Sequence, residues 1–367
     1  MTIPILDLKA EYKSIKGEID DAVMSVLESG HFILGPNVSS FESEFAAYNG
    51  SKYAVAVASG TDALLLSLKA LGIKEGDEVI TSSLTFIATA EAISYTGANP
   101  VFVDVDPITH NIDPDKIEKA ITKNTKAIIP VHLWGLTADM EKIMAIAKKH
   151  SLFVVEDCCQ AVGAKFKGKR SGTFGDLGCF SFFPTKNLGA YGDGGIIVTD
   201  NPDLKDKLEL LHLHGSKARG VHEMIGYNSR LDALQAAILR VKLKYIDSWN
   251  AKRRENAAFY TAQLEKIGIK CPPNVSDREH VYHQYTIEVN DRQMFSDKLS
   301  QKGVMAFVYY PTPLHLQKPY SFLDQKKGDL PVSEKIGDRM LSIPVHPFMT
   351  ESDVASVARS IIEVSGR

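Results

Sequence analysis

Through its first two thirds the chain alternates short β-branched runs with amphipathic stretches, and that alternation restricts the fold more than any other feature. Residues 53–58, 78–81, 100–104, 126–131 and 152–156 read as strands. Between them, residues 62–71, 87–96, 113–121 and 139–150 carry apolar side chains at the roughly 3.6-residue period of a helix. Strands joined by helical crossovers run parallel, so this order predicts an α/β fold whose large domain has a mainly parallel sheet flanked by helices. Two more strands are expected at 179–183 and 194–199, followed by a helix at 201–211, an irregular stretch at 212–230 and a long helical pattern at 231–266 that reads as a bridge. Beyond Pro272-Pro273 the texture changes to a strand at 284–289, a helix at 291–302, a strand at 304–309 and a last helix at 351–364, which reads as a smaller α+β domain. A chain of 367 residues has room for both, and the expected division is 1–250 for the large domain with its N-terminal arm and 251–367 for the small one.

The formal charge is −3 with no dense Lys/Arg block, so nothing supplies the positive field that nucleic-acid binding depends on. The opening Met-Thr-Ile-Pro-Ile-Leu-Asp-Leu-Lys lacks a basic stretch followed by an apolar run, and no apolar segment approaches the roughly 18–20 residues of a membrane span. A soluble, cytoplasmic protein with neither nucleic-acid nor membrane partners is the expectation. Cys158, Cys159, Cys179 and Cys271 match neither a zinc knuckle nor a redox pair, and His212 and His214 lack a partner at ligand spacing, so no metal site is expected.

Lys186 follows the apolar run 179–183 in Ser-Phe-Phe-Pro-Thr-Lys-Asn, where partial desolvation pushes an amine toward its neutral, nucleophilic form. Asp157 stands at the carboxyl end of the strand 152–156, the edge where ligands of open α/β sheets collect. An acidic helix cap would explain it equally well. Ser-Gly-Thr-Asp-Ala at 59–63 leaves a strand and opens an apolar helix, which aims backbone N–H groups at a place where a phosphate fits; ordinary capping by Thr61 or Asp62 is the plainer alternative. Phe86 offers a flat face for stacking, although most phenylalanines so placed are simply core. The glycine-rich run 189–195 precedes a strand and lacks a Lys-Ser/Thr ending, so it is a turn rather than a P-loop or dinucleotide fingerprint. Amine, carboxylate, anion cradle and flat face are together the four parts of a covalent pyridoxal 5′-phosphate (PLP) site.

Six motifs then fall in one order across nearly the whole chain: Gly-Thr-Asp-Ala-Leu at 60–64, Glu-Asp-Cys-Cys-Gln-Ala at 156–161, Ser-Phe-Phe-Pro-Thr-Lys-Asn-Leu-Gly at 181–189, Gly-Asp-Gly-Gly at 192–195, Gly-Tyr-Asn-Ser-Arg-Leu-Asp at 226–232 and Pro-Leu-His-Leu-Gln at 313–317. With them the chain resembles the DegT/StrS-type sugar aminotransferases, within the fold type I PLP enzymes related to aspartate aminotransferase. The resemblance implies that Lys186 holds PLP as a Schiff base and later serves as the base, that Asp157 pairs with the ring nitrogen, and that Gln160 reaches the phenolic oxygen. It implies that Gly60, Thr61 and Ser181 hold the phosphate, that Phe86 stacks on the ring, and that Asn228 reaches the same phosphate from the other subunit of a homodimer with shared sites. The long stretch before Arg230 would then cross the dimer interface. The implied reaction takes an amino group from L-glutamate to a keto group of a nucleotide-linked sugar.

The run after the lysine, Asn-Leu-Gly-Ala-Tyr-Gly-Asp-Gly-Gly, resembles members that aminate carbon 3 more than the Lys-Thr-x-Thr-x-Gly-Glu-Gly-Gly of carbon-4 members. That comparison implies a dTDP-linked 3-keto-6-deoxyhexose, with a 4-keto or UDP-linked sugar as the alternative. Tyr310 and His315 lie where family members approach the sugar, although packing at a domain junction accounts for them too. Cys159 departs from the family's usual small residue. Three rivals stand against this reading: a PLP-dependent sugar dehydratase replaces the lysine with histidine, a catalytically silent sensory protein has no use for all four parts at once, and a nucleotide-dependent oxidoreductase needs a Gly-x-Gly-x-x-Gly that is absent here.

Overall fold

The computed structural model describes residues 2–366. Seven strands form the main sheet: β1 (Tyr53–Val57), β2 (Glu78–Ser82), β3 (Asn99–Val103), β4 (Thr125–Ile129), β5 (Phe153–Asp157), β6 (Leu177–Ser181) and β7 (Gly195–Thr199). Their spatial order is β1-β7-β6-β5-β4-β2-β3, and every neighbouring pair is parallel except the two that β7 makes with β1 and β6. Six strands therefore end at the same edge of the sheet, and β7, running the other way, begins there.

Period-two alternation explains why the strands are apolar almost throughout. Val55, Val57, Cys179 and Ile197 face one core cluster with Leu64, Leu68 and Leu208, while Ala56, Phe180, Ile196 and Val198 face another with Phe41, Phe45 and Leu239. A sheet covered by helices on both faces leaves no position for a polar side chain except at strand ends. The first cluster draws on helices α4 (Gly60–Ala70) and α8 (Pro202–Leu211); the second draws on α2 (Lys16–Ser29), α3 (Pro36–Asn49) and α9 (Ala233–Leu243). In the second, Phe45 meets Phe180 edge-on at 5.1 Å and Phe182 at 5.6 Å, the offset geometry that aromatic pairs favour.

Several expectations are corrected in detail. The first 50 residues hold three helices, α1 (Leu8–Ser14), α2 and α3, whose mixed composition gave little periodic signal. The pattern 231–266 is two helices, α9 and α10 (Ile246–Leu264), separated at Lys244 and Tyr245. The stretch 212–230 contains a short hairpin, Ser216–Ala218 with Val221–His222. No strand forms at 304–309: Val304 bridges only Ile3 and Phe307 only Ser342, so no neighbour continues the ladder. The partner of β8 (Tyr285–Glu288) is instead β9 (Met340–Ile343), which follows helix α12 (Pro331–Arg339). A separate cluster around Tyr260, Tyr285, Leu299, Leu341 and Ile361 gathers the C-terminal residues, and Ile3 packs against it. No helix among the described residues is long and apolar enough to cross a membrane.

Candidate active site

The shared edge of the sheet opens into a cavity of about 400 Å³. Its lining follows from the topology. The end of β1 leads to Ser59, Gly60 and Thr61; the end of β2 leads to Thr85 and Phe86; β5 ends in Asp157, with Cys159 and Gln160 beyond; β6 ends in Ser181. Because β7 is antiparallel, the connection 182–194 turns back at this edge, and Lys186 lies on it. Tyr310 comes from the C-terminal part of the chain.

Lys186 is partly exposed to the cavity, and its amine makes no hydrogen bond among the described residues. Burial pushes the amine below the usual lysine range, with Cys159 and Asp157 pulling the other way. Burial also pushes the Cys159 thiol well up, so at neutral pH it is uncharged.

Asp157 is 5% exposed, and no helix follows it, which removes the capping explanation. Its Oδ2 accepts from Thr89 Oγ1 at 2.8 Å and its Oδ1 from the Cys159 N–H at 3.1 Å. Thr89 in turn pairs with Thr85 Oγ1 at 3.0 Å, so with Thr89 donating to Asp157 the Thr85 hydroxyl donates to Thr89. Gln160 Oε1 accepts from the Trp134 N–H at 2.8 Å, which fixes the amide so that Nε2 is free to donate; it reaches Tyr310 Oη at 3.3 Å. The Tyr310 phenol is held protonated by burial first and then by Asp157.

The cap of α4 is Ser59, whose side chain accepts from the Asp62 N–H at 3.0 Å, rather than Thr61 or Asp62. The N–H groups of Gly60 and Thr61 have no partner among the described residues. They stand at the positive end of the helix dipole, beside Ser181. A Cβ on Gly60 would lie 2.6 Å from Ser181 Cβ and 2.9 Å from Cys159 Sγ, so only glycine leaves that space open. Phe86 is 53% exposed with its ring 5.8 Å from that of Tyr310, which is the behaviour of a ring offered to a ligand and not of a core side chain.

Two of the expected residues do not line this chain's cavity; for Asn228, expected to act on the phosphate of the other subunit, that is no departure. Asn228 is exposed and does not line the cavity, although its neighbour Ser229 docks on the cradle by donating to Asp62 Oδ2 at 2.6 Å. His315 is 1% exposed and also outside the lining; its Nε2 meets Glu334 Oε1 at 3.1 Å. Conversely, Thr89, His283 and Arg253 line the cavity and were not singled out. The signal for Thr89 was a hydroxyl set among alanines on an apolar helix face, Ala88-Thr89-Ala90.

A model of the DegT/DnrJ/EryC1/StrS aminotransferase family matches residues 13–362. The chain belongs to this family. The aminotransferase is 48% identical over 366 residues to the "Pleiotropic regulatory protein" of Geobacillus stearothermophilus, covering 99% of this chain and 98% of that one. It is 46% identical over 359 residues to the UDP-N-acetyl-3-dehydro-alpha-D-glucosamine 3-aminotransferase of Acidithiobacillus ferrooxidans, covering 98% and 97%. Among solved structures it superposes on S. venezuelae DesV in complex with a ketimine intermediate with a TM-score of 0.98, at 42% identity, covering 100% and 99% of the two chains. The enzyme is PLP-dependent, and the residues present fit the cofactor: a phosphate-sized gap kept by Gly60, unpaired N–H groups, an exposed ring and a free amine. When bound, PLP supplies a carbonyl for the amine and a ring that takes up an electron pair. Overpacking costs about 1–3 kcal/mol. Gly60→Ala is therefore expected to weaken PLP binding about tenfold or more while the protein stays folded, as read by titrating the apo form and following visible absorbance.

Proposed function

We propose that the aminotransferase carries an amino group from L-glutamate to carbon 3 of a keto sugar linked to a nucleoside diphosphate. The observation that carries this reading is the unpartnered Lys186 amine opening into the same cavity as Asp157 and the unpaired N–H groups of Gly60 and Thr61. In this reading Lys186 binds the cofactor and then takes the proton from the donor's α-carbon, a task suited to an amine that burial holds toward its neutral form. Asp157 keeps the ring nitrogen protonated, Gln160 donates to the phenolic oxygen, and Gly60, Thr61 and Ser181 hold the phosphate. Tyr310 faces the sugar; His315, paired with Glu334 outside the cavity lining, belongs to the sugar side through its sequence motif alone.

Carbon 3 is supported by the run after Lys186 and by the names of relatives, which cover both dTDP-linked and UDP-linked 3-amino sugars. The preferred substrate is a dTDP-3-keto-6-deoxyhexose. A homodimer is supported by exposed Asn228 and by the apolar surface beside it, where Ile225 is 94% and Val221 54% exposed; Asn228 of a second copy would complete the phosphate site. Free cysteines at 158, 159, 179 and 271 support a cytoplasmic setting. The proposed division at 250 and 251 falls inside α10, a helix that both parts would share.

Purified protein with PLP should be yellow and bleach on adding glutamate, and mass spectrometry after mixing with 3-keto and 4-keto dTDP- and UDP-sugars should find the amine formed from a 3-keto sugar. Unchanged colour with glutamate would remove the aminotransferase reading in favour of a regulatory one; amine from 4-keto sugars alone would overturn the assignment to carbon 3.

A further inference from the structure

One charged group in the cavity wall is left without a counterpart. Arg253, on α10, is 5% exposed and lines the cavity. Its Nη1 donates to the Tyr282 carbonyl at 3.2 Å, its Nε is buried with no partner, and no carboxylate lies within ion-pair distance among the described residues. The nearest acidic influence is Glu11, but Glu11 is itself engaged by the buried amine of Lys242. Burial lowers the guanidinium to about 10, which leaves it charged at neutral pH. An uncompensated buried cation is costly, and a protein that keeps one in a ligand cavity needs an anion to arrive there.

The position narrows which anion. His283 also lines the cavity, and its imidazole is held neutral by burial and then by the positive charges of Lys186 and Arg253, so His283 stands within the field of both. The unpaired N–H groups of Gly60 and Thr61, at the N-terminus of α4, already offer the phosphate its own donors in the same cavity. A guanidinium pinned at one nitrogen and open at others matches the planar oxygens of a carboxylate. Ile5 and Leu6 of the N-terminal segment supply apolar lining of the same cavity, suited to a short aliphatic chain.

We propose that Arg253 binds a carboxylate of the amino donor and so selects an amino acid over an amine that lacks a carboxylate; this rests on the aminotransferase reading above. Glutarate, which has both carboxylates and no amine, isolates the interaction from turnover. In the PLP-loaded enzyme, glutarate should bind with a measurable Kd by calorimetry. Arg253→Met should weaken it about ten- to hundredfold, the range for loss of a charge-assisted pair, and Arg253→Lys should recover part of it. Binding of dTDP should stay within about threefold in both variants, a shift of under 1 kcal/mol. The visible band of bound cofactor serves as the folding control, with Arg253→Lys as the second variant if Arg253→Met is unstable. Glutarate affinity unchanged in the variants would overturn the proposal, as would a loss confined to dTDP, which would make the anion a phosphate. In either case bleaching of the wild type by glutamate would still stand, so the two readings fail separately.

Discussion

Lys186→Ala is expected to be colourless with PLP and to turn over at least about 10⁵-fold more slowly than the wild type, the scale seen when a covalent nucleophile is removed. The side chain makes no hydrogen bond among the described residues, so its loss removes a partly buried amine without orphaning any partner. Thermal stability should therefore hold or rise slightly, and the loss of activity cannot then be charged to unfolding. Scanning calorimetry and visible spectra on the same sample separate the two. Retained colour together with normal turnover would move the covalent site to another residue.

Asp157→Asn should cost about 10²–10³ in kcat, the usual effect of deleting one preorganised electrostatic contact. The substitution keeps the volume of a side chain that is 5% exposed, and the Cys159 N–H still finds an oxygen. What is lost is the charge that, in the proposed reading, faces the ring nitrogen. Cofactor occupancy, read from absorbance, should change far less than kcat, and sugar KM should stay within a few fold. A kcat within tenfold of wild type would mean that Asp157 serves only to hold Thr89 and the turn at Cys159.

The edge on which the site forms was legible from strand and helix spacing alone, since parallel crossovers bring the ends of β1, β2, β5 and β6 together whatever their loops do. Asp157, Lys186 and the 59–61 turn could be placed for that reason. Residues that reach the cavity from other layers were not legible in the same way. Arg253 sits in a run of three cations, Lys252, Arg253 and Arg254, and only tertiary packing decides which is buried. His315 and Asn228 show the converse: their motifs are recognisable, but their side chains are engaged outside the cavity or exposed in this chain. The missing strand at 304–309 has a related cause, because a β-rich run becomes a strand only where a neighbour exists to complete its hydrogen bonds.

The reversed direction of β7 decides how Lys186 is mounted. Ser181 pairs with Gly195 across the sheet, the Phe182 N–H donates to Gly194 O at 2.8 Å, the Ala190 N–H donates to Phe182 O at 2.7 Å, and Lys242 grips the Gly189 carbonyl. The lysine thus rides on a clamped hairpin tip and not on a swinging arm. Any excursion of the amine then belongs to its four methylenes, and the spacing between the two strands governs its reach as firmly as the choice of residue does.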